Sequence, residues 1–484
     1  MMACKVSMVP PQPANPRQRA FQVYSGNPMV RTLLLLCLPL WAPAAAFGQG
    51  AAEAPADRPN LILIVSDDAG YGDFSLHGCA DFATPRIDSI AEAGVRFRQA
   101  YVAASVCSPS RAAIMTGRYP QRFGHEFNIP PRWSETNGLP LTETLLPEIL
   151  QRNGYRTVGL GKWHLGYAKA FQPMQRGFDA YFGFLQGARS YWPLKKSTRL
   201  NRLRRDHESI PEEFTYMTDA LGKEAAAYVA ENRDRPFFLY LAFNAVHTPM
   251  HATEEDLAGF SGIDHEKRRK LAAMTRAMDR AVGVVLDALE ENGIRDHTLL
   301  CFVNDNGGAT NNASQNGVLR GTKGTPFEGG IRVPMLMQWP ARLPRGTIYD
   351  LPVSGLDLLP TFLAAGGIVR QSPLPLDGVD LLPYLRSKKA GRPHPQLFWR
   401  RGDNAAVRLK DWKLVRYKAG PWMLFDLASD PQEERNLVDQ QKERVVSMQA
   451  MLEAFETTLE APRWRFGKKA AEKSEKPASS GGGG

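Results

Sequence analysis

Short, unbroken apolar runs alternate along this chain with longer amphipathic stretches. Leu61-Ile62-Leu63-Ile64-Val65 is the first such run and ends in Ser66-Asp67-Asp68. Continuous apolar residues rich in branched side chains predict a strand buried on both faces. A helix is expected near Thr84–Gly94, with Thr84 as its cap and Pro85 at its first position. A helix over Leu145–Asn153, closed by Gly154, leads into a strand at Tyr155–Leu160. Phe237–Phe243 predicts another strand, and a helix through Lys267–Asn292 precedes one at Thr298–Val303. The last three strands run straight into Gly161-Lys162-Trp163-His164, Asn244-Ala245-Val246-His247 and Asn304-Asp305-Asn306-Gly307. Strands alternating with helices predict an α/β fold, a large mixed, mostly parallel sheet between helices. Polar clusters at four strand ends predict one shared site at one sheet edge.

The pattern changes near Leu376. Shorter segments follow at Gln396–Arg400, Asn404–Lys410, Trp412–Tyr417 and Trp422–Asp426, separated by turn residues such as Gly402-Asp403 and Gly420-Pro421. They predict a small antiparallel sheet with a helix over Glu443–Leu459 packed on it. The expected organisation is a catalytic domain over 58–375 and a C-terminal subdomain over 376–466. From Gly467 the chain is Lys, Glu, Ala, Ser and Gly, and a disordered tail over 467–484 is expected. No internal repeat is visible.

Before this body, Arg31 precedes Leu33-Leu34-Leu35-Leu36-Cys37-Leu38-Pro39-Leu40-Trp41, and Ala44-Ala45-Ala46 follows. Charge, apolar run and small residues in that order predict a cleaved export signal within 1–50, too short to span a bilayer stably. A lipid anchor at Cys37 is the rival, but leucines stand where a small residue is wanted. An exported protein, periplasmic or secreted and not inserted in a membrane, is therefore expected. Composition adds two limits. Cysteines stand only at positions 4, 37, 79, 107 and 301 of 484 residues, which excludes a disulfide framework. The net charge of +10 suits a polyanionic partner or simply a soluble surface.

The sharpest motif is Ser105-Val106-Cys107-Ser108-Pro109-Ser110-Arg111, continued to Thr116-Gly117-Arg118. It resembles the signature of the sulfatase family, in which the cysteine is oxidised to formylglycine. Cys107 stands at a helix start, where unpaired N–H groups favour an anion, and Arg111 is one turn on. Asp67-Asp68 and Asp305-Asn306 are four oxygen donors on two strand ends, suited to Ca²⁺ or Mg²⁺ rather than zinc. Each pair alone reads as a cap or a turn; together they look like the family's cation site, which implies calcium ahead of magnesium. Gly154–Thr157 with Gly161–His164 resembles the second family signature. Lys162 and His164 lie two apart, so an extended backbone turns both the same way.

The resemblance, which covers roughly Arg58 to Leu437, implies an alkaline phosphatase-like fold and hydrolysis of sulfate esters. It implies sulfate contacts from Arg111, Lys162, His247 and Lys323, and a proton acceptor in His164. It also implies a maturation enzyme that oxidises Cys107. Lys323 lies in Gly321-Thr322-Lys323-Gly324-Thr325, and Glu328 with Arg332 reads as a structural ion pair. Two alternatives stay open: a phosphodiester or phosphonate monoester hydrolase of the same superfamily, and a catalytically silent polyanion-binding protein.

Substrate choice has one candidate feature. Arg189, Lys195, Lys196, Arg199, Arg202, Arg204 and Arg205 crowd one stretch with Tyr191 and Trp192. The stretch reads as a long loop. Its cations and rings suit a polysulfated saccharide, with Arg189, Tyr191, Trp192 and His251 as candidate substrate contacts. A solvated surface is the plain alternative. Nucleic acid gains little support from a chain with an export signal.

Overall fold

The structure is a computed structural model that describes residues 58–465. The expected export segment over 1–50, with Cys4 and Cys37, and the expected tail over 467–484 lie outside the described residues.

A ten-stranded sheet runs through the body. Its centre is five parallel strands in the order Thr298–Asn304, Asn60–Ser66, Phe237–Ala242, Arg156–Lys162 and Ala180–Phe184. Beyond the first lies Met335–Gln338, antiparallel to it, then Val95–Phe97 and Thr347–Tyr349. The opposite edge carries a hairpin of Arg204–Arg205 and Glu208–Ser209.

The two-residue pleat explains the unbroken apolar runs. Leu61, Leu63 and Val65 join Leu299, Cys301 and Val303 in one core, while Ile62 and Ile64 join Leu300 and Phe302 in the other. Every position of such a strand is inside, and each large aliphatic side chain so buried contributes roughly 1.5–3 kcal/mol. On one face the sheet is covered by the helices Met217–Glu231 and Glu266–Glu291. On the other lie Cys107–Thr116, Leu146–Arg152 and Leu358–Ala365.

Some elements escape the sequence pattern. Ala180–Phe184 is short and holds a glycine, and Met217–Glu231 buries Gly222 and Ala225 in place of large residues, so neither leaves a strong apolar stripe. The stretch after Arg189 is not one long loop. Arg204 and Arg205 pair with Gly183 and Phe182 at the sheet edge.

Inside the central sheet, Gly161 has φ +94, and a Cβ there would fall 2.0 Å from the Ala242 carbonyl oxygen. Gly161→Ala is therefore expected to cost about 2 kcal/mol, from strain and displaced backbone. A urea midpoint within error of the parent would show that the strand end accommodates the methyl.

Four antiparallel strands, Gln396–Arg401, Asn404–Leu409, Trp412–Arg416 and Trp422–Asp426, form the C-terminal sheet. One face packs Phe398, Val407 and Leu414 on Met448, Leu452 and Phe455 of the helix Lys442–Glu456. The other packs Trp399, Ala406, Val415 and Phe425 on Tyr101, Phe327 and Ile331. That second face presses on the segment that follows Lys323. Among the described residues no helix is long and apolar enough to cross a membrane, and Cys79, Cys107 and Cys301 are unbridged.

Candidate active site

The parallel strands deliver their polar ends to one edge. Neighbours Ser66 and Asn304 are in register, and Ser66 Oγ donates to Asn304 Oδ1 at 2.6 Å. The chain then turns. Asp68 adopts φ +63, and its carbonyl oxygen accepts from Ser314 Oγ at 2.8 Å and Asn312 Nδ2 at 3.2 Å. Close backbone approach sets the other wall: a Cβ on Gly307 would fall 1.9 Å from the Gly329 carbonyl oxygen.

Cys107 is the first residue of a helix buried along its whole length. Its Sγ lies 3.5 Å from Asp67 Oδ1 and 3.8 Å from Asp68 Oδ1. Lys162 Nζ donates to Asp67 Oδ2 at 2.6 Å, and Lys323 Nζ to Asp68 Oδ2 at 2.7 Å. His247 Nε2 lies 3.4 Å from Asp68 Oδ2. Its Nδ1 lies 2.6 Å from the Thr248 carbonyl oxygen, so Nδ1 is the donor in that contact and Nε2 faces the carboxylates. Lys162 is fully enclosed, whereas the side chains of Lys323 and His247 keep 19% and 17% of their surface. The opening of the site is therefore on the Lys323–His247 side.

Asp305 is held from behind. Arg111 Nε and Nη2 reach its Oδ2 at 2.9 and 2.8 Å, and Nη1 donates to Tyr240 Oη at 3.3 Å and the Lys162 carbonyl at 3.4 Å. A guanidinium with no exposed surface thus backs Asp305, and its Nη2, for all its closeness to that carboxylate, is buried without a hydrogen-bond partner among the described residues. Asn306 Nδ2 donates to Asp68 Oδ1 at 2.8 Å, while its Oδ1 is buried without a donor. A buried acceptor left over beside three carboxylates fits a hard cation. Ligand atoms of Asp67, Asp68, Cys107 and His247 also lie within 4.8 Å of one another.

Burial opposes ionisation of Asp67, but Lys162, His247 and Arg111 overcome it and hold the carboxyl below its usual range. Burial, reinforced by the charge of Asp67, raises Asp305. Burial and then Asp305 push the Cys107 thiol far up, so this group is a poor thiolate. Burial, Lys162 and Arg111 keep His164 well below the usual histidine value, hence neutral.

His164 departs from the simple alternation expected of it. Its φ is +58, after Gly161 at +94, so the strand pattern does not set its direction. The ring is enclosed and lies against Gly187, with Nδ1 buried and without a partner.

The basic stretch needs further correction. Arg189 is not available to a substrate: Glu212 Oε2 takes its Nη2 at 2.6 Å, and the guanidinium carbon lies 5.6 Å from the centres of both Phe184 and Phe214. Tyr191 is buried and donates to the carbonyl oxygens of Asn244 and His247, so it positions the His247 turn. Arg204 is buried as well. Trp192 is half-buried, its ring 6.4 Å from that of His251 at 23°.

Sequence reading missed Asn312 and Tyr240, and also Ser108, whose Oγ donates to the His164 carbonyl and meets His125 Nε2 at 2.7 Å. Only Tyr240 left a signal, a polar atom on a buried strand in phase with Phe238 and Ala242.

The fold is alkaline phosphatase-like, a large mixed, mostly parallel sheet between helices with a small antiparallel C-terminal sheet. The sulfatase family profile matches residues 59–368, and the profile of the N-sulphoglucosamine sulphohydrolase C-terminal region matches 322–458. The chain belongs to the sulfatase family and is a sulfuric ester hydrolase. It is 35% identical to N-acetylgalactosamine-6-sulfatase of Homo sapiens over 399 residues, covering 78% of this chain and 73% of that one. Arylsulfatase A of Bos taurus is 34% identical over 454 residues, covering 83% and 87%. Among solved structures, Ps i-CgsB in complex with k-i-k-neocarrahexaose is 38% identical with a TM-score of 0.81, covering 86% of this chain and 96% of that one. The phosphonate monoester hydrolase of Agrobacterium radiobacter shares the fold at 19% identity, with a TM-score of 0.61, covering 81% and 96%.

Proposed function

We propose that this enzyme removes sulfate from a sulfated carbohydrate, using formylglycine made from Cys107 and a divalent cation, with calcium as the first candidate. What carries the reading is the convergence of Asp67, Asp68, Lys162, Lys323 and His247 on the Cys107 side chain. The carbohydrate class rests on the relatives, one named for N-acetylgalactosamine and another solved with k-i-k-neocarrahexaose. An export signal over 1–50 would take the enzyme to a periplasmic or secreted location, after oxidation of Cys107 by a maturation enzyme.

Asp67, Asp68, Asp305 and Asn306 would hold the cation, which supplies positive charge to the ester and lowers the pKa of an adjacent hydroxyl. Formylglycine at position 107 would supply, as its hydrate, two geminal hydroxyls: a nucleophile for sulfur and a second hydroxyl whose loss of a proton would release sulfate. Arg111 keeps Asp305 in place. Lys162 and Lys323 set two preplaced ammonium groups beside the carboxylates, where charge on a sulfate group needs neutralising. His247, with Nδ1 tied to Thr248, offers Nε2 to the leaving alcohol as the acid once protonated. Neutral His164 has the protonation state of a base and takes the later proton. Trp192 and His251 form a half-open ring surface near His247 that suits a sugar face.

Chelation separates this reading from a cation-independent one. After EDTA, turnover of 4-nitrophenyl sulfate is expected to fall at least about 100-fold, and Ca²⁺ to restore it. The melting temperature should fall as well, since a ligand of the native state stabilises it by mass action. Full activity in protein shown to be metal-free would remove the cation from the proposal. Asp305→Ala is a poorer probe, because it leaves Arg111 buried without its carboxylate and costs stability too. A wild-type enzyme that cleaves an aryl phosphodiester faster than an aryl sulfate would favour the phosphodiesterase alternative.

A further inference from the structure

Beyond the scissile group, the rim carries a cation that the mechanism does not use. Arg401 ends the strand Gln396–Arg401 of the C-terminal sheet. Its Nη1 donates at 3.3 Å to the carbonyl oxygen of Gly324, the residue after Lys323. Its guanidinium carbon lies 5.8 Å from the centre of the Phe127 ring. Next to Phe127, Asn128 Oδ1 accepts from the backbone N–H of Ser108, which follows Cys107. A continuous line of contacts thus runs from Cys107 through Asn128, Phe127 and Arg401 back to Lys323. Arg401 closes it on the side of the C-terminal sheet.

The neighbouring carboxylate is already engaged. Glu126 Oε2 takes Arg400 Nη2 at 2.6 Å, and its Oε1 takes the N–H of Gly402. Arg401 Nε is buried and, among the described residues, has no acceptor. Burial holds the Arg401 pKa below the usual arginine value, against the opposing pull of Glu126. Beyond Arg401 opens a cleft of about 660 Å³ that Phe127, Lys418 and Arg465 line together with the carboxylates of Glu126, Asp403 and Glu456. A guanidinium beside an apolar ring, with the cations of Arg400, Lys418 and Arg465 along the same cleft, suits a sugar that bears an anion of its own.

We propose that Arg401 is a specificity residue that receives a second sulfate of the substrate, so that the enzyme prefers saccharides sulfated at more than one position. The proposal rests on the sulfated-carbohydrate reading above.

The test compares two probes, a galactose-based disaccharide carrying one sulfate and the same disaccharide carrying two. The wild-type enzyme is expected to favour the disulfated probe in kcat/KM. In Arg401→Gln that preference should fall about ten-fold, through the KM of the disulfated probe, the size of one lost charge-assisted hydrogen bond. Arg401→Lys should regain part of it by restoring charge without the planar fork. A preference that Arg401→Gln leaves unmoved, or a loss that falls on kcat of both probes alike, would overturn the proposal and make Arg401 a support of the Gly324 turn. A wild-type enzyme that cleaves neither probe is a different result, because it counts against the carbohydrate reading itself.

Discussion

Replacing Cys107 by alanine is expected to abolish sulfate ester hydrolysis, by a factor on the order of 10⁴ to 10⁶, the range seen when a covalent nucleophile is removed. The residue heads a helix whose ten members are all buried, and its thiol contributes no bond to that helix. Among the described residues its sulfur donates to Asp67 and Asp68, and the methyl of alanine leaves the backbone and the carboxylates where they are. Circular dichroism and the melting temperature should therefore stay close to the parent. The unmodified thiol cannot substitute for the proposed hydroxyls, since burial and Asp305 push its pKa far above neutrality. Cys107→Ser should fail too, unless the host's maturation enzyme oxidises serine. Mass spectrometry of the peptide that spans residue 107 gives an independent check. Protein from its native host should carry the aldehyde, about 18 mass units below the unmodified cysteine peptide because CHO replaces CH2SH, or its hydrate, which has about the same nominal mass as that peptide and is told from it by its failure to react with a thiol alkylating reagent. Substantial turnover by Cys107→Ala would end the mechanism proposed here.

Much of the site can be read from the chain because the fold is simple where the site is. Buried parallel strands leave unbroken apolar runs, and whatever follows such a run falls at one edge. Asp67, Lys162, His247 and Asp305 could be grouped on that ground before any coordinates. Their chemistry was less visible, because it depends on partners distant in sequence. The contact of Arg111 Nε with Asp305, 194 residues away, could not be read from the chain. The run of cations after Arg189 reads as a binding loop because its counter-charges lie outside it. Glu212 neutralises Arg189, and Glu224 takes Arg205 at 2.6 Å. The same limit hid Arg401. On its strand it is one arginine beside another, and only the turn at Gly324 gives it a place at the rim.

Lys413→Met is expected to destabilise the protein by about 3–5 kcal/mol at pH 8, the cost of leaving buried charge without its partner. Lys413 Nζ meets Glu328 Oε1 at 2.9 Å and Glu433 Oε1 at 3.0 Å, and none of the three side chains has exposed surface. The cluster fastens the C-terminal sheet to the segment after Lys323. Glu433 Oε2 accepts from the backbone N–H of Glu328 at 2.7 Å, and its carbonyl accepts from Arg320 at 2.8 Å. Arg332 stands 3.6 Å from Glu328 Oε2 and cannot neutralise two carboxylates alone. Burial and the charge of Glu328 already raise Glu433 from 4.5 to about 7, while Lys413 and Arg332 hold Glu328 low against its burial. Without Lys413 both carboxyls should sit above their unfolded values. Carboxyls raised in this way favour the native state at low pH, and that contribution is lost as pH rises from about 4.5 through 7 and beyond. The difference between variant and parent should therefore be small at pH 5 and full at pH 8, by urea denaturation at each pH. The variant's KM for 4-nitrophenyl sulfate should also rise at pH 8, because the loosened segment carries Lys323. A penalty below about 1 kcal/mol at pH 8, or the same penalty at both pH values, would show that Lys413 does not neutralise this pair.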